Sequence, residues 1–261
     1  MIDLHSHILF DLDDGAQSIH ESLAMAQMAA EDGVRTIAAT PHSPESTASR
    51  TYDPRVIRER LSALNDALAA EGLPIEVVGG TEIVYDVGMV ERLQRGQLLT
   101  YGRSRAILLE LSHNSIPPSL DSAIFNLQVA GYRIVLAHPE RIIEVQQSPN
   151  RLLPLIERGV LMQITAEALL GKQGDRLRAT AETLVRHAMA HLLASDAHGV
   201  PPRRAPRLAA ARDRAAELIG MEAAAAMVTT TPAAILADRP LRLPPPRPAG
   251  QPPSRWWRRG S

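Results

Sequence analysis

Met1-Ile-Asp-Leu-His-Ser-His7 opens the chain, and its two histidines stand two residues apart in a short apolar stretch. Alternate residues of a β-strand point to the same side of a sheet, so both imidazoles would face one site. Neutral imidazole binds zinc, manganese and iron. A lone His-x-His pair is weak support for a metal site, because two core or surface histidines would look the same. The prediction therefore depends on whether ligand-type residues recur along the chain.

Strands alternate with helices through the rest of the sequence. Seven strand-like apolar runs begin at Ile2, Val34, Ile75, Ala106, Arg133, Val160 and Leu192. A helix is predicted over Ser18–Asp32, with Ser18 and Glu21 forming a capping box, and another from about Arg203 to Ile219. This alternation predicts a parallel sheet, which seven strands could close into a barrel. An open doubly wound sheet is the alternative, but no glycine-rich nucleotide-binding loop supports it.

Ligand-type side chains recur where the predicted strands end. They are His42, Glu82, Glu110, His138, Asp196 and His198. The active sites of α/β barrels lie at the carboxyl ends of the strands, so these groups would converge with His5 and His7. Unpaired buried carboxylates would cost several kcal/mol, which argues against a purely structural role. The pattern predicts a metal site. Asp13 and Asp14 follow the first strand, and the residues alone do not choose between them as a further ligand.

Arg141 and the four histidines outside the predicted ligand set have other predicted roles. Arg141 lies in His-Pro-Glu-Arg, where its guanidinium suits a phosphate group, and an ion pair with Glu140 or another nearby acid is the equally weighted alternative. His113 is predicted to approach the site at most from the substrate side. Three further histidines are predicted to be ordinary surface or core residues: His20, His187 and His191.

Composition excludes several functional classes. The 261 residues contain 45% hydrophobic residues and no cysteine, which removes disulfides, thiolate metal sites and a cysteine nucleophile. A chain without cysteine fits the reducing cytoplasm. The net charge of −1 gives no sign of a nucleic-acid-binding protein. We find no signal peptide and no apolar run long enough to cross a bilayer.

The composition changes near Arg239. Seven of the last 23 residues are proline, and six arginines but no acids follow Asp238, whereas residues 1–238 carry a net charge of −7. We therefore predict a folded domain over 1–238 and an extended or disordered Pro/Arg-rich tail over 239–261. Trp256 and Trp257 lie among arginines there. They could contact an anionic membrane or an acidic partner weakly, and a tail without any partner is the alternative.

Several motifs together resemble the PHP (polymerase and histidinol phosphatase) superfamily, and within it the capsule-regulating bacterial tyrosine-protein phosphatases of the CpsB/YwqE group. Besides the opening heptapeptide, the matching stretches are Asp13-Asp-Gly-Ala16, Ala39-Thr-Pro-His42, Ile124-Phe-Asn-Leu-Gln128, Leu136-Ala-His-Pro-Glu-Arg141 and Ala194-Ser-Asp-Ala-His198. The resemblance implies a distorted (β/α)7 barrel that holds two to three divalent ions. Manganese is the implied metal, and the nitrogen and oxygen ligands also admit iron or zinc.

The resemblance also implies roles for individual residues. One ion would be held by His5, His7, Glu82 and Asp196; a second by Glu82, Glu110 and His138; and a third by Asp14, His42 and His198. It thus selects Asp14 over Asp13, and it gives Arg141 a contact with phosphate. The hypothesis is metal-dependent hydrolysis of a phosphomonoester, in which His42, His198 or Asp14 could help to protonate the leaving phenolate.

The implied substrate is phosphotyrosine on a bacterial tyrosine autokinase that controls capsular or exopolysaccharide synthesis. A small-molecule phosphatase, acting on histidinol phosphate or a nucleotide, is the first alternative. A regulator that binds the kinase without turnover is the second, and the complete set of ligands argues against it. The oligomeric state is left open.

Overall fold

Eight short parallel strands form the centre of the structure, a computed structural model that describes residues 1–250. They are β1 (Ile2–Ser6), β2 (Thr36–Ala39), β3 (Glu76–Gly79), β4 (Glu82–Val84), β5 (Ala106–Glu110), β6 (Arg133–Ala137), β7 (Leu161–Thr165) and β8 (Leu192–Ala194). They pair in the order β1-β2-β3 and β4-β5-β6-β7-β8. Two parallel bridges join these sheets, Ser6 with Ala197 and His42 with Glu82. The ring is thereby closed, and the predicted distorted (β/α)7 barrel is confirmed.

The third predicted strand, Ile75–Glu82, is divided in the structure into β3 and β4. The break falls at Gly80 and Thr81. A Cβ added to Gly80 would lie 3.2 Å from Thr40 Cγ2 and 3.3 Å from Tyr101 Cδ1, so the backbone passes unusually close to its neighbours here. Because of this division, Glu82 is the first residue of a separate strand, β4, at the rim of the barrel.

Helices connect and surround the strands. They are α1 (Ile19–Glu31), α2 (Pro54–Ala70), α3 (Met89–Gln94), α4 (Leu120–Val129), α5 (Ile143–Gln147), α6 (Leu153–Glu157), α7 (Ala166–Leu169), α8 (Asp175–Arg186), α9 (Ala209–Ile219), α10 (Met221–Ala226) and α11 (Thr230–Leu236). Ser18 caps α1 as predicted, because its side chain accepts the N–H of Glu21. The predicted start of α9 at Arg203 is wrong. Pro206 has no N–H and disfavours helical backbone in the residue before it, and α9 begins only at Ala209.

Apolar side chains on the two faces of the strands form two clusters. The larger cluster lies between strands and helices and includes Ile107 and Leu109. The smaller cluster includes Leu108 and Leu161, which alternate along the strands with residues of the larger one. Leu161 shares its strand face with Gln163, which contacts the predicted ligand His5, so this cluster fills the barrel below the carboxyl-end rim.

The stretch 239–250 runs along the domain. Leu241 and Leu243 pack against the smaller apolar cluster, and the Ala249 N–H donates to Asn150 Oδ1 at 2.6 Å. The division between 1–238 and 239–261 stays a prediction, but these residues are not free of the domain. The predicted contact of Trp256 and Trp257 with a membrane or acidic partner lies outside the described residues. Among the described helices, none combines the length and apolarity needed to span a bilayer.

Candidate metal centre

The carboxyl-end rim of the barrel brings together all nine side chains predicted as ligands. Within residues 1–250 their donor atoms, together with one from His113, form overlapping groups, in each of which the atoms lie within 4.8 Å of one another. The groups are His7, Asp14, His42 and His198; His5, His7 and Asp196; His5, Glu82 and His138; His42, Glu82 and Glu110; and Glu110, His113 and His138. The assignment of these residues as ligands stays a prediction, while their convergence is an observed feature of the structure.

Glu82 is the centre of this arrangement. Its Oε2 lies 3.2 Å from His5 Nε2, 3.3 Å from His7 Nε2 and 3.1 Å from His42 Nδ1. Its Oε1 lies 2.8 Å from His138 Nε2. Burial alone would raise the pKa of Glu82, but the neighbouring His5 and hydrogen bonds from the imidazoles hold it well below its usual range. Glu82 is therefore an ionised, buried carboxylate with two oxygens directed at different sets of donors.

Asp196, which follows β8, lies close to two of these four histidines, His5 and His7. Its Oδ1 lies 3.4 Å from His5 Nε2 and 3.6 Å from His7 Nε2. Both Asp196 and His138 have left-handed backbone, with φ of 51° and 32°. This conformation is uncommon for residues other than glycine and is held where surrounding structure stabilises it, often at functional sites. At Asp196 and His138 it occurs where the chain leaves a strand for the rim.

The two acids of the first loop have different environments. Asp14 Oδ1 faces the rim, 3.4 Å from His198 Nε2 and 3.6 Å from His42 Nε2. Asp13 is buried behind His7, and its Oδ2 lies 2.8 Å from His7 Nδ1 and accepts the His42 N–H at 3.0 Å. Burial would raise the pKa of Asp14, but the neighbouring imidazole of His198 lowers the pKa to about 2. Asp14 can thus offer a charged oxygen to the site, whereas Asp13 orients a neighbour.

Two buried side chains fix the ring orientation of the opening histidines. His5 Nδ1 lies 2.9 Å from Gln163 Oε1, and His7 Nδ1 lies 2.8 Å from Asp13 Oδ2. An oxygen at this distance keeps the proton on Nδ1 and leaves Nε2 free to bind a metal. The sequence gives no signal for Gln163 beyond its place on β7. Asp13 was visible there only as a loop acid before Gly15.

The donor set fits divalent ions. Asp14 Oδ1 and His42 Nδ1 are buried without a hydrogen-bond partner, although buried polar atoms normally have one. Burial and then the charge of Glu82 raise the pKa of Glu110 to about 8, so these two carboxylates repel each other. A cation between them would relieve that repulsion. Nitrogen and oxygen donors without thiolates suit manganese, iron or zinc.

Two arginines border the donors. Arg141 Nη2 donates to Asp196 Oδ2 at 2.5 Å, and Arg204 Nη2 lies 3.2 Å from the same oxygen as an ion pair. The alternative prediction, an ion pair of Arg141 with Glu140 or another nearby acid, is met by Asp196, while Glu140 accepts the Thr165 N–H instead. Arg204 was missed. It lies in the Pro- and Arg-rich loop that was predicted as helix, and nothing in that stretch marks it.

The remaining histidines are spread over the molecule. His113 is half exposed at the rim, with Nε2 3.9 Å from Glu110 Oε1. His20 lies exposed on α1. His191 is buried at the opposite end of the barrel, where its Nδ1 accepts the Met162 N–H at 2.8 Å. His187 follows α8 as its C-cap residue.

Comparison with known proteins identifies the family. Residues 1–237 match the family described as "Capsular polysaccharide synthesis, CpsB/CapC". The tyrosine-protein phosphatase YwqE of Bacillus subtilis is 40% identical over 205 residues, covering 78% of this chain and 79% of YwqE. The putative tyrosine-protein phosphatase CapC of Staphylococcus aureus is 34% identical over 203 residues, covering 78% of this chain and 79% of CapC.

The structure is also similar to solved ones. A chain from the crystal structures of YwqE from Bacillus subtilis and CpsB from Streptococcus pneumoniae, described as unique metal-dependent tyrosine phosphatases, superposes with a TM-score of 0.89. It shares 34% identity, and the match covers 96% of this chain and 100% of that one. The sequence matches and the structural match thus point to the same family. This chain belongs to the CpsB/CapC family of capsular polysaccharide synthesis.

Proposed function

We propose that the protein is a metal-dependent protein-tyrosine phosphatase that hydrolyses phosphotyrosine in a protein substrate. The observation that carries the proposal is the position of Glu82, whose ionised carboxylate is buried among four imidazoles. Such a carboxylate would be expensive without cations to share it. The names of the relatives, tyrosine-protein phosphatases, support phosphotyrosine as the ester.

The ligand assignment is part of this proposal. Glu82 would bridge a first ion, held with His5, His7 and Asp196, and a second ion, held with Glu110 and His138. A third ion would be held by Asp14, His42 and His198. Manganese is the proposed metal, with iron and zinc as the alternatives that the same donors admit.

Bound divalent ions would supply Lewis acidity and a nucleophilic water at neutral pH. The protein's own contribution begins with Arg141, whose guanidinium reaches Asp196 with one nitrogen and retains further N–H donors for phosphoryl oxygens. Those donors would stabilise the charge that develops on the transferring group. Because the chain has no cysteine, a cysteinyl-phosphate intermediate is excluded.

The groups nearest the leaving phenolate are proposed to be Asp14, His42 and His198. The low pKa of Asp14, about 2, keeps it ionised at neutral pH, so it would accept rather than donate a proton. A ring nitrogen that holds an ion carries no proton, and the second ring nitrogen faces the protein: His42 Nδ1 lies 3.1 Å from Glu82 Oε2, and His198 Nδ1 lies 2.9 Å from the Asp196 carbonyl oxygen. His42 or His198 would therefore act as a donor only when the third set is empty. The phenolic hydroxyl has a pKa of about 10, so a phenolate leaving group needs less protonation by an acid than an alkoxide does.

The proposed partner is a bacterial tyrosine autokinase whose phosphorylation controls capsular or exopolysaccharide synthesis. The family's link to capsular polysaccharide synthesis supports this choice. We also propose that the enzyme works in the cytoplasm, the reducing compartment that a chain without cysteine suits.

The test is metal analysis of the purified protein, coupled to hydrolysis of a phosphotyrosyl peptide. We expect divalent metal in the protein, loss of activity with a chelator, recovery with manganese, and no effect of a thiol-alkylating reagent. Activity that survives complete metal removal would refute the proposal. Histidinol phosphate is assayed in parallel, and a higher kcat/KM for it than for the peptide would favour a small-molecule phosphatase.

A further inference from the structure

Glu140 is a fully buried acid that none of the proposed ligand sets uses. It stands between the proposed ligand His138 and the proposed phosphate-binding Arg141. Its Oε1 accepts the backbone N–H of Thr165 at 2.9 Å, and its Oε2 is buried without a partner. Burying a carboxyl group with one hydrogen bond costs several kcal/mol of solvation, and a leucine of similar size would avoid that cost. A role beyond packing would explain why an acid is found here.

The turn that carries Glu140 is short and tied at several points. It is the 3-10 turn Pro139–Arg141, which starts from the left-handed His138, and the Arg141 N–H donates to the His138 carbonyl at 2.9 Å. On one side, Gln146 Nε2 donates to the carbonyls of Glu140 at 3.0 Å and Arg141 at 3.2 Å. On the other side, the Glu140 carboxylate links the turn to Thr165, the last residue of β7.

Arg141 is the residue that this link would control. Its side chain is 15% exposed, and its Nη2 lies 2.5 Å from Oδ2 of Asp196, which follows β8. Arg141 follows Glu140 directly, so a shift of the Glu140 backbone moves the base of the Arg141 side chain. Misplacing a group at an active site by about 1 Å can reduce the rate by about 100-fold.

We propose that Glu140 is a positioning residue: by accepting the Thr165 N–H, its carboxylate fixes the turn Pro139–Arg141 against β7 and holds the Arg141 guanidinium in place for a phosphoryl group. The inference rests on the proposed function, because it needs Arg141 to bind phosphate. It assigns Glu140 no contact with substrate or metal. Its effect passes through Arg141.

Two independent variants break the link. Glu140→Leu removes the acceptor, whereas Glu140→Gln keeps an amide oxygen that can accept the same N–H and serves as the conservative control. Thr165→Pro removes the donor and leaves Glu140 intact. The backbone of Thr165, with φ of −74° and ψ of 130°, already suits proline. Because one variant changes each end of the bond, failure of one to fold leaves the other as a test.

The measurements are kcat and KM for a phosphotyrosyl peptide, the inhibition constant of inorganic phosphate, and metal content. For E140L and T165P we expect kcat/KM to fall about 10- to 100-fold, the range for losing a supporting contact, and the phosphate inhibition constant to rise. E140Q should stay within about threefold of the parent. Metal content should not change. In an Arg141→Ala background, E140L should lower kcat/KM by less than about twofold, because the two residues act as one unit.

Three results would overturn the inference. Full additivity of E140L and R141A would mean that Glu140 does not act through Arg141. Loss of metal from E140L or T165P would mean that it acts through His138. An E140Q variant as impaired as E140L would mean that charge, rather than the hydrogen bond, matters. If R141A itself leaves the phosphate inhibition constant unchanged, the proposed function of Arg141 fails first, and this outcome is distinct from the other three.

Discussion

The two ends of the barrel use charge in opposite ways. At the carboxyl-end rim, buried carboxylates face buried imidazoles, with Glu82 at their centre. The other end carries an open groove of about 1010 Å³ with largely apolar walls. Its charged lining residues are Arg35, Arg186, Arg239, Arg242 and Glu222, all exposed. This groove is therefore separate from the proposed site. Buried charges at the rim interact strongly, whereas exposed arginines at the far end interact weakly.

The sharpest contrast between the two ends comes from one substitution made at each. Glu82→Gln keeps the size of the side chain and removes a negative charge that four imidazoles surround. Because this carboxylate would bridge two ions, we expect kcat/KM to fall by more than about 1000-fold, with loss of bound metal. Activity on a phosphotyrosyl peptide and metal content measure the effect.

Glu222→Gln is the matched control, since it makes the same chemical change in the exposed glutamate of the far groove. It should leave both activity and metal content unchanged. Equal losses in the two variants would contradict the assignment of the site to the rim.

A smaller effect at the rim is expected from Asp13→Asn. Asp13 holds the His7 ring through Nδ1, and an amide in its place removes the charge that strengthens this contact. Loss of such a supporting carboxylate lowers metal affinity by about 10- to 100-fold. Metal titration of the apoprotein gives the dissociation constant. Asp11→Asn changes an exposed acid in the same loop and should not alter it; an equal loss there would point to the loop rather than to His7.

The sequence predicts the rim better than it predicts what supports the rim. His138 and Asp196 were predictable because ligand-type residues follow apolar strands, and parallel strands end at the same side of a barrel. Gln163 and Glu140 were not, because a side chain becomes an orienting group only through the atom it faces on another strand. That information is three-dimensional and has no local pattern.

The helices and strands show the same distinction between local signals, which the sequence reveals, and tertiary contacts, which it does not. The helix over Ser18–Asp32 was predicted within a residue at each end, because its N-cap side chain acts locally. The strand Ile75–Glu82 was predicted as one and is two, because its break follows from close contact between Gly80 and the neighbouring Thr40 and Tyr101. The stretch 239–250 has the composition of a disordered segment, yet Leu241 and Leu243 pack against the smaller apolar cluster of the barrel.

At the far end, the expected effect is on stability rather than on catalysis. Burial lowers the pKa of His191 from its ordinary value of 6.5 to about 4. The unfolded chain therefore binds the proton more readily, so the contribution to stability is complete above about pH 6.5 and is lost as the pH falls towards 4. Between pH 7.5 and 5.5 the loss should be about 1 kcal/mol.

His191→Asn removes this titration and keeps an oxygen that can accept the Met162 N–H. Denaturant unfolding at the two pH values should show a smaller difference for H191N than for the parent. His20→Asn, on the exposed face of α1, is the control and should leave the difference unchanged. An unchanged difference in H191N would show that other groups set the acid sensitivity.

The smallest effect is expected from Arg242→Gln, which removes a positive charge from the groove. β1 runs from Ile2, which lines the groove, to Ser6 beside the rim, a span of about 13 Å at 3.3 Å per residue. The Debye length is about 8 Å at physiological ionic strength and about 30 Å at 0.01 M salt. Arg242→Gln should therefore leave KM for a phosphotyrosyl peptide unchanged at physiological salt and raise it slightly at 0.01 M. Arg141→Gln removes the same charge at the rim and should impair the enzyme at both salt concentrations. A loss of activity in R242Q at physiological salt would require a structural connection between the two ends, because the field of an exposed charge does not extend that far.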